Sequence, residues 1–290
     1  MSEIRVVIPS LQGDIEILTS ICDAATRAGA RPLVIANGAQ LCSKLSATLV
    51  PHVTSRRNDG FAASVALGAE GNWDWLVILN DDLVFDPRDL ESQLSAKQLD
   101  KYSLHAIIHF DNEPSRLIPS RLGVLLSVSM LSNIHRRLVS RWRAPLPENA
   151  HTYRSFSSVA IGRHAWDSVG GIDTRYPFTY EDADFVRRLR ARGVQIIGVP
   201  TSVVHLHSRT SNKWVTTVLP VSTWSALEYL SKWYGNRSLH RWLLIIALFV
   251  RGPIAAGTSR RPFKQLQAVS NSIAALFHNR RPSLPDWERV

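Results

Sequence analysis

Two rhythms of apolar residues organise the first third of this chain. IRVVIPS, from Ile4, has the β-branched density of a short strand. Ile15 to Ala28 repeats its apolar positions at helical spacing and closes at Gly29, and PLVIANG then reads as a second strand entering a turn. A strand, helix, strand unit implies parallel pairing through a right-handed crossover. Farther on, Trp75 to Leu79 are consecutively apolar, as in strands buried on both faces of a parallel sheet. Ligands of such sheets bind beyond the carboxyl ends of the strands. Asn80, Asp81 and Asp82 follow directly, so they stand at the edge of a candidate site. The expectation is an α/β fold with a mostly parallel central sheet.

Residues 178 to 207 read FTYEDADFVRRLRARGVQIIGVPTSVVHLH. A helix beginning near Tyr180 gathers Glu181, Asp182 and Asp184 in its first turn, where unpaired N–H groups and the dipole favour negative charge. Phe185 and Leu189 supply an apolar stripe and Gly193 a stop. VQIIGV follows as a strand, Pro200 ends it, and SVVHLH is a second apolar run. Two readings compete here. Acids in a first turn are common helix caps, and a strand-end histidine is more often structural than a ligand. His205 and His207 face opposite sides if the strand runs through them, so one at most enters a given site. Asp81 and Asp82 are likewise either a solvated turn or carboxylates for a hard divalent cation. Mg²⁺ takes one or two protein carboxylates together with substrate phosphates.

The last third has a different character. Its pattern predicts helices near Ser222 to Trp233, Leu239 to Arg251 and Phe263 to Phe277, separated by YGNRS and RGPIAAGTSRRP. Residues 206 to 290 carry 12 Lys and Arg against 3 Asp and Glu, which is +9 of the chain's net +10, and five of its nine tryptophans. Aromatic and basic residues together suit an anionic membrane surface; the alternative is a helical cap with solvated basic faces. The stretch 121 to 142, RLGVLLSVSMLSNIHRRLVSRW, invites the same question. Trp242 to Val250 is nine residues, short of the roughly 20 that span a bilayer, and Met1 to Glu3 runs straight into a strand without a leader pattern. The expectation is a cytoplasmic protein, peripheral to the inner face of a membrane, rather than an integral one. Cys22 and Cys42 have no metal or redox spacing, which fits a reducing compartment. The basic tail alone suggests nucleic-acid binding, but no motif accompanies it, and none is expected.

VVIPS, NDGFAASVALG, LNDDLVFDP, VGGIDTRYPF, YEDADFVRRLRARG and VVHLHSRTS occur in that order over roughly residues 4 to 212. In this ordered set the chain resembles the family 2 glycosyltransferases of the GT-A fold, in their rhamnosyltransferase-like branch. The resemblance implies a catalytic domain over 1–215, with a donor half about 1–110 and an acceptor half about 111–215, and leaves 216–290 as a helical extension. It implies that Asp82 binds Mn²⁺ or Mg²⁺ on a nucleoside-diphosphate sugar, with His205 as second ligand and His207 as backup. It makes Asp182 the general base, with Glu181 beside it. Pro9, Ser10, Asn37, Asn58, Gly60, Phe61, Asn80 and Asp81 fall on the donor side.

The activity implied is metal-dependent, inverting transfer to a hydroxyl of a cell-envelope or polysaccharide acceptor, including a lipid-linked one. Ala36 and Asn80 stand where relatives often carry acids. These two departures keep a second class open: an inactive relative that binds a sugar nucleotide or scaffolds partners. Neither the sugar, the base nor the oligomeric state is specified.

Overall fold

The structure, a computed structural model, describes residues 1–11, 13–55, 58–110, 115–132, 152–205 and 215–284. Its strands are β1 (Ile4–Ser10), β2 (Arg31–Ala36), β3 (His52–Thr54), β4 (Trp75–Leu79), β5 (Leu83–Val84), β6 (Ala106–His109), β7 (Arg116–Leu117), β8 (Thr152–Tyr153), β9 (Ser158–Gly162), β10 (Gln195–Gly198) and β11 (Val204–His205). Seven of them form the central sheet in the order β10-β6-β9-β4-β1-β2-β3. All neighbours in that order pair in parallel except β9, which runs antiparallel to both β4 and β6. The fold is therefore mixed α/β with a mostly parallel sheet, as the continuous apolar runs predict.

Helices α1 (Ile15–Arg27), α2 (Ala39–Ser46), α3 (Phe61–Gly68), α4 (Pro87–Leu94), α5 (Ala96–Leu99), α6 (Arg121–Val128), α7 (Arg163–Ser168) and α8 (Glu181–Arg190) connect the strands. The two-residue period of each strand divides its side chains between the two faces. Val6, Ile8, Trp75, Val77 and Leu79 pack with Leu18 and Ile21 of α1 and Leu90 and Leu94 of α4. Val7, Leu76 and Ile78 turn the other way, onto Val65 of α3 and Phe185, Val186 and Leu189 of α8.

Three long helices close the chain: α9 (Val215–Tyr234), α10 (Arg237–Thr258) and α11 (Pro262–Phe277). Leu227, Leu230, Leu244, Leu248, Val269 and Leu276 form a third apolar cluster, which also takes in Val124 of α6 and Ala183 of α8. These helices differ from the sequence expectation in extent. RGPIAAGT, expected as a break, is the last part of the 22-residue α10, with Pro253 inside it. Proline removes one backbone hydrogen bond, but Gly252 and Ala255 around it are buried. Leu266 and Val269 of α11 stand within 4.0 Å of where a Gly252 β-carbon would be, so packing carries the helix past the proline. By length and composition α10 also meets the requirement for crossing a membrane, which the nine-residue apolar run did not.

Candidate active site

The carboxyl edge of the sheet is tied together by short polar contacts. Ser10, the last residue of β1, donates from its hydroxyl to Asp81 Oδ2 at 2.6 Å and accepts from the Gly13 N–H at 3.1 Å. Burial, and secondarily the neighbouring Asp82, push the Asp81 carboxyl above its usual range, while Ser10 pulls the other way. Asn37, just past β2, donates to the Ser64 hydroxyl at 2.8 Å, and that hydroxyl can donate to the Gly60 carbonyl at 2.9 Å. The Asn80 N–H reaches the carbonyl of Ser157, ahead of β9, at 2.9 Å.

Asp82 sits in the turn from β4 to β5. Strand β5 pairs antiparallel with β11, and its register places His205 opposite Leu83, the residue after Asp82. The ladder thus carries a carboxylate and a histidine position to one place from 123 residues apart in sequence. The His205 side chain, like all of His207, lies outside the described residues. A carboxylate and an imidazole are donors that divalent cations accept. Among the described residues no three His, Cys, Asp or Glu side chains gather to hold a metal by themselves. A cation at Asp82 and the His205 position would take its remaining ligands from phosphate oxygens and water.

The second centre is the start of α8. Thr179 and Tyr180 precede it at φ +69° and +70°, a left-handed conformation that costs a β-branched or bulky residue about 1–3 kcal/mol and concentrates at functional sites. No side chain caps this helix. Glu181 is buried, and its Oε2 has no hydrogen-bond partner among the described residues. Asp182 accepts the Ala183 N–H at 2.6 Å. Burial first, and then Asp182, drive the Glu181 carboxyl upward; burial also raises Asp182, against the pull of the Ala183 N–H and Arg116. Two adjoining carboxyls in one buried setting titrate as a unit and retain a proton where free ones do not.

Both acids line a cavity of about 1000 Å³. Phe61 reaches it from the start of α3, Asn80 from the end of β4, Arg116 from β7, Ser120 from the cap of α6, Tyr153 from β8, and Ser222, Thr223 and Arg251 from the closing helices. Of the residues expected on the donor side, Phe61 and Asn80 are the ones on its wall. Pro9, Ser10, Asn37 and Gly60 are buried in the sheet edge and the loop before α3, where Asn58 also lies. Asp81 and Asp82 are half-buried in the turn after β4.

Asp184 belongs to the framework instead. It is fully buried and accepts from Tyr176 Oη at 3.2 Å, Arg188 Nε at 2.8 Å, Lys232 Nζ at 2.8 Å and Trp233 Nε1 at 2.9 Å. Sequence reasoning, which placed Asp184 in one first turn with Glu181 and Asp182, missed this role because two of its donors come from α9. It also missed Arg116, Tyr153 and Arg251, which have no motif around them.

No protein-family model matches the chain, and no curated protein matches it in sequence. Solved structures similar to it include a CMP:2-keto-3-deoxy-manno-octonic acid synthetase complexed with CTP, at 14% identity and TM-score 0.42, over 74% of this chain and 97% of that one. An inositol-1-phosphate CTP transferase from T. maritima aligns at 9% identity and TM-score 0.40, over 79% and 98%. Likeness at that level bears no weight for function.

Proposed function

We propose that the protein is a metal-dependent inverting glycosyltransferase, moving a sugar from a nucleoside-diphosphate donor to a hydroxyl of a saccharide or lipid-linked saccharide, as its resemblance to family 2 implies. The observation that carries this reading is the adjoining Glu181–Asp182 pair, Glu181 buried and Asp182 half-buried, on the wall of a cavity that also reaches Asn80, at the end of β4.

Asp182 is the base in this reading. The Ala183 N–H and the Arg116 charge favour its ionised form, whereas Glu181, more buried and with one unpartnered oxygen, retains the proton. Asp182 takes the proton of the acceptor hydroxyl as that oxygen attacks the anomeric carbon and the nucleoside diphosphate leaves from the opposite face. Asp82 and His205 would hold Mn²⁺ or Mg²⁺, which would supply electrostatic stabilisation to the leaving diphosphate. Ser10 fixes Asp81, and with it the turn that presents Asp82.

We also place this chemistry at an anionic membrane surface. α10 turns Leu239, Trp242, Ile246 and Phe249 outward, the last 64% exposed, and α11 adds Phe263 at 84%. Residues 229 to 285 contain no Asp or Glu, and Arg260, Arg261, Lys264, Arg280 and Arg281 are exposed. An apolar row with only cations around it suits a helix lying in the headgroup region. The opposite face of α10, with Leu244 and Leu248, is buried in the protein, which favours lying on the membrane over spanning it.

Titration with a panel of nucleoside diphosphates and their sugars, with Mn²⁺ or Mg²⁺ and with chelator, tests the reading on wild type and Asp82→Ala. Metal-dependent binding of one nucleotide, lost in Asp82→Ala, is expected. Absence of binding under every condition would favour an inactive relative.

A further inference from the structure

Among the described residues Arg251 is a cation without an anion. It lies half-buried on α10, where Nη1 donates to the carbonyl of Val128, at the end of α6, at 3.2 Å. Its Nε is buried without a hydrogen-bond partner, and no carboxylate among the described residues pairs with it. Three other cations of the closing helices and α8 are matched. Lys232 reaches Asp173 and Asp184 at 2.8 Å, Arg237 reaches Glu228 at 2.9 Å, and Arg188 reaches Asp184 at 2.8 Å. Burial presses the Arg251 guanidinium toward its neutral form, yet arginine stays charged in proteins. A guanidinium held this way is costly unless a ligand supplies the opposite charge.

Arg251 is on the wall of the same cavity as Glu181 and Asp182, together with the hydroxyl-bearing Ser127, Ser222 and Thr223. One cavity wall thus carries both proton-accepting carboxyls and an anion-accepting guanidinium with hydroxyls. We propose that Arg251 binds a phosphate or diphosphate group carried by the acceptor, so that the substrate is an anionic, phosphorylated saccharide whose hydroxyl is placed at Asp182. This rests on the transferase reading for the identity of the acceptor but not for the anion site itself. Arginine suits the task because its planar fork meets phosphate oxygens in pairs. The source of the phosphate is either a lipid headgroup, for which the exposed row of α10 is on the same helix, or a soluble sugar phosphate.

The test is titration of inorganic pyrophosphate in chelator, which silences metal-assisted binding at Asp82, on wild type, Asp82→Ala and Arg251→Gln. Wild type and Asp82→Ala should bind alike, and Arg251→Gln at least tenfold more weakly. Equal binding by Arg251→Gln, or no saturable binding by wild type, overturns the proposal. Pyrophosphate should raise the Tm of wild type but not of Arg251→Gln. The unliganded variant should melt no lower than wild type, since an unpaired buried charge has gone; a large fall would make Arg251 a structural cap of α6 and also overturn the proposal. Vesicles with and without a polyprenyl diphosphate separate the two sources, because only a lipid headgroup site retains more wild type than Arg251→Gln on the doped vesicles. If Asp82→Ala keeps metal-dependent nucleotide binding, the transferase reading fails while the pyrophosphate result stands.

Discussion

A β-carbon on Gly60 would lie 1.8 Å from the carbonyl oxygen of Pro177. The loop before α3 and the loop before α8 therefore touch through bare backbone, and Gly60 holds φ +98° to allow it. That contact joins the donor-side edge of the sheet to the segment that carries Glu181 and Asp182. Gly60→Ala must move one loop off the other while adopting a backbone conformation that belongs to glycine. It should cost about 3 kcal/mol and lower the Tm by roughly 6–12 °C. A thermal melt within 2 °C or so of wild type would mean the two loops are not pressed together.

Asp182→Asn keeps the shape of the side chain and removes its basicity. Nucleotide binding should stay within about twofold of wild type while transfer falls by roughly 10² to 10⁴, the usual contribution of a general base. Single-turnover rates at saturating donor check this, and a near-wild-type rate would move the base elsewhere. Asp184 is not the substitute, because its oxygens are already occupied by four donors.

The pH profile follows from the raised carboxyls. Transfer should lose activity on the acid side with a midpoint above the ordinary carboxylate range of about 4, because Asp182 must be ionised to act. Glu181→Gln replaces a carboxyl that still holds its proton when Asp182 ionises, so the midpoint, set by burial of Asp182, should stay in place. The sign for stability is the reverse of the usual acid case. A carboxyl whose folded pKa is raised is fully tolerated below its unfolded value of about 4.3 and costs stability as pH rises past it. Glu181→Gln should therefore gain on wild type in urea melts between pH 5 and pH 8 or so, and a constant difference across that range would count against the buried-pair account.

Asp184→Ala should be the most damaging single change to the framework. It leaves Lys232, Arg188, Trp233 and Tyr176 without their common acceptor, and Lys232 keeps only Asp173. Breaking a buried pair by deleting one partner typically costs about 3–5 kcal/mol. Urea unfolding measures it, and a loss under about 1 kcal/mol would show that solvent repairs the network.

Vesicle flotation tests the membrane face. Wild type should associate with anionic vesicles at low salt, lose that association as ionic strength rises, and lose it at all salts when Trp242 and Phe249 are both changed to serine. Indifference of wild type to anionic vesicles would remove the case for the surface.

The elements that could be read from the sequence are those whose signal is local. Trp75 to Leu79 coincides with β4 because five consecutive apolar residues permit little else, and the acids at the start of α8 follow from the periodicity of Phe185 and Leu189. Asp182 and Asp184 look alike by that logic. What separates them is Lys232 and Trp233, about 50 residues away, and no local pattern encodes such a contact. Arg251 read as the flank of an apolar run for the same reason: its meaning comes from Val128 and the cavity wall. Pro253 was a stop signal by propensity, overridden by the packing of Gly252 on α11.

The Asp184 anchorage has a consequence in time. A ribosome delivers the sheet, the Ser10–Asp81 contact and the acids of α8 well before it delivers Lys232 and Trp233, and domains form from the N-terminus as they emerge. Until α9 has left the exit tunnel, Asp184 has Tyr176 and Arg188 but not Lys232 and Trp233, and the cavity lacks the wall that Ser222 and Thr223 provide. The sheet can thus be in place while the cavity is still open, and the site closes only when α9 and α10 have packed onto it.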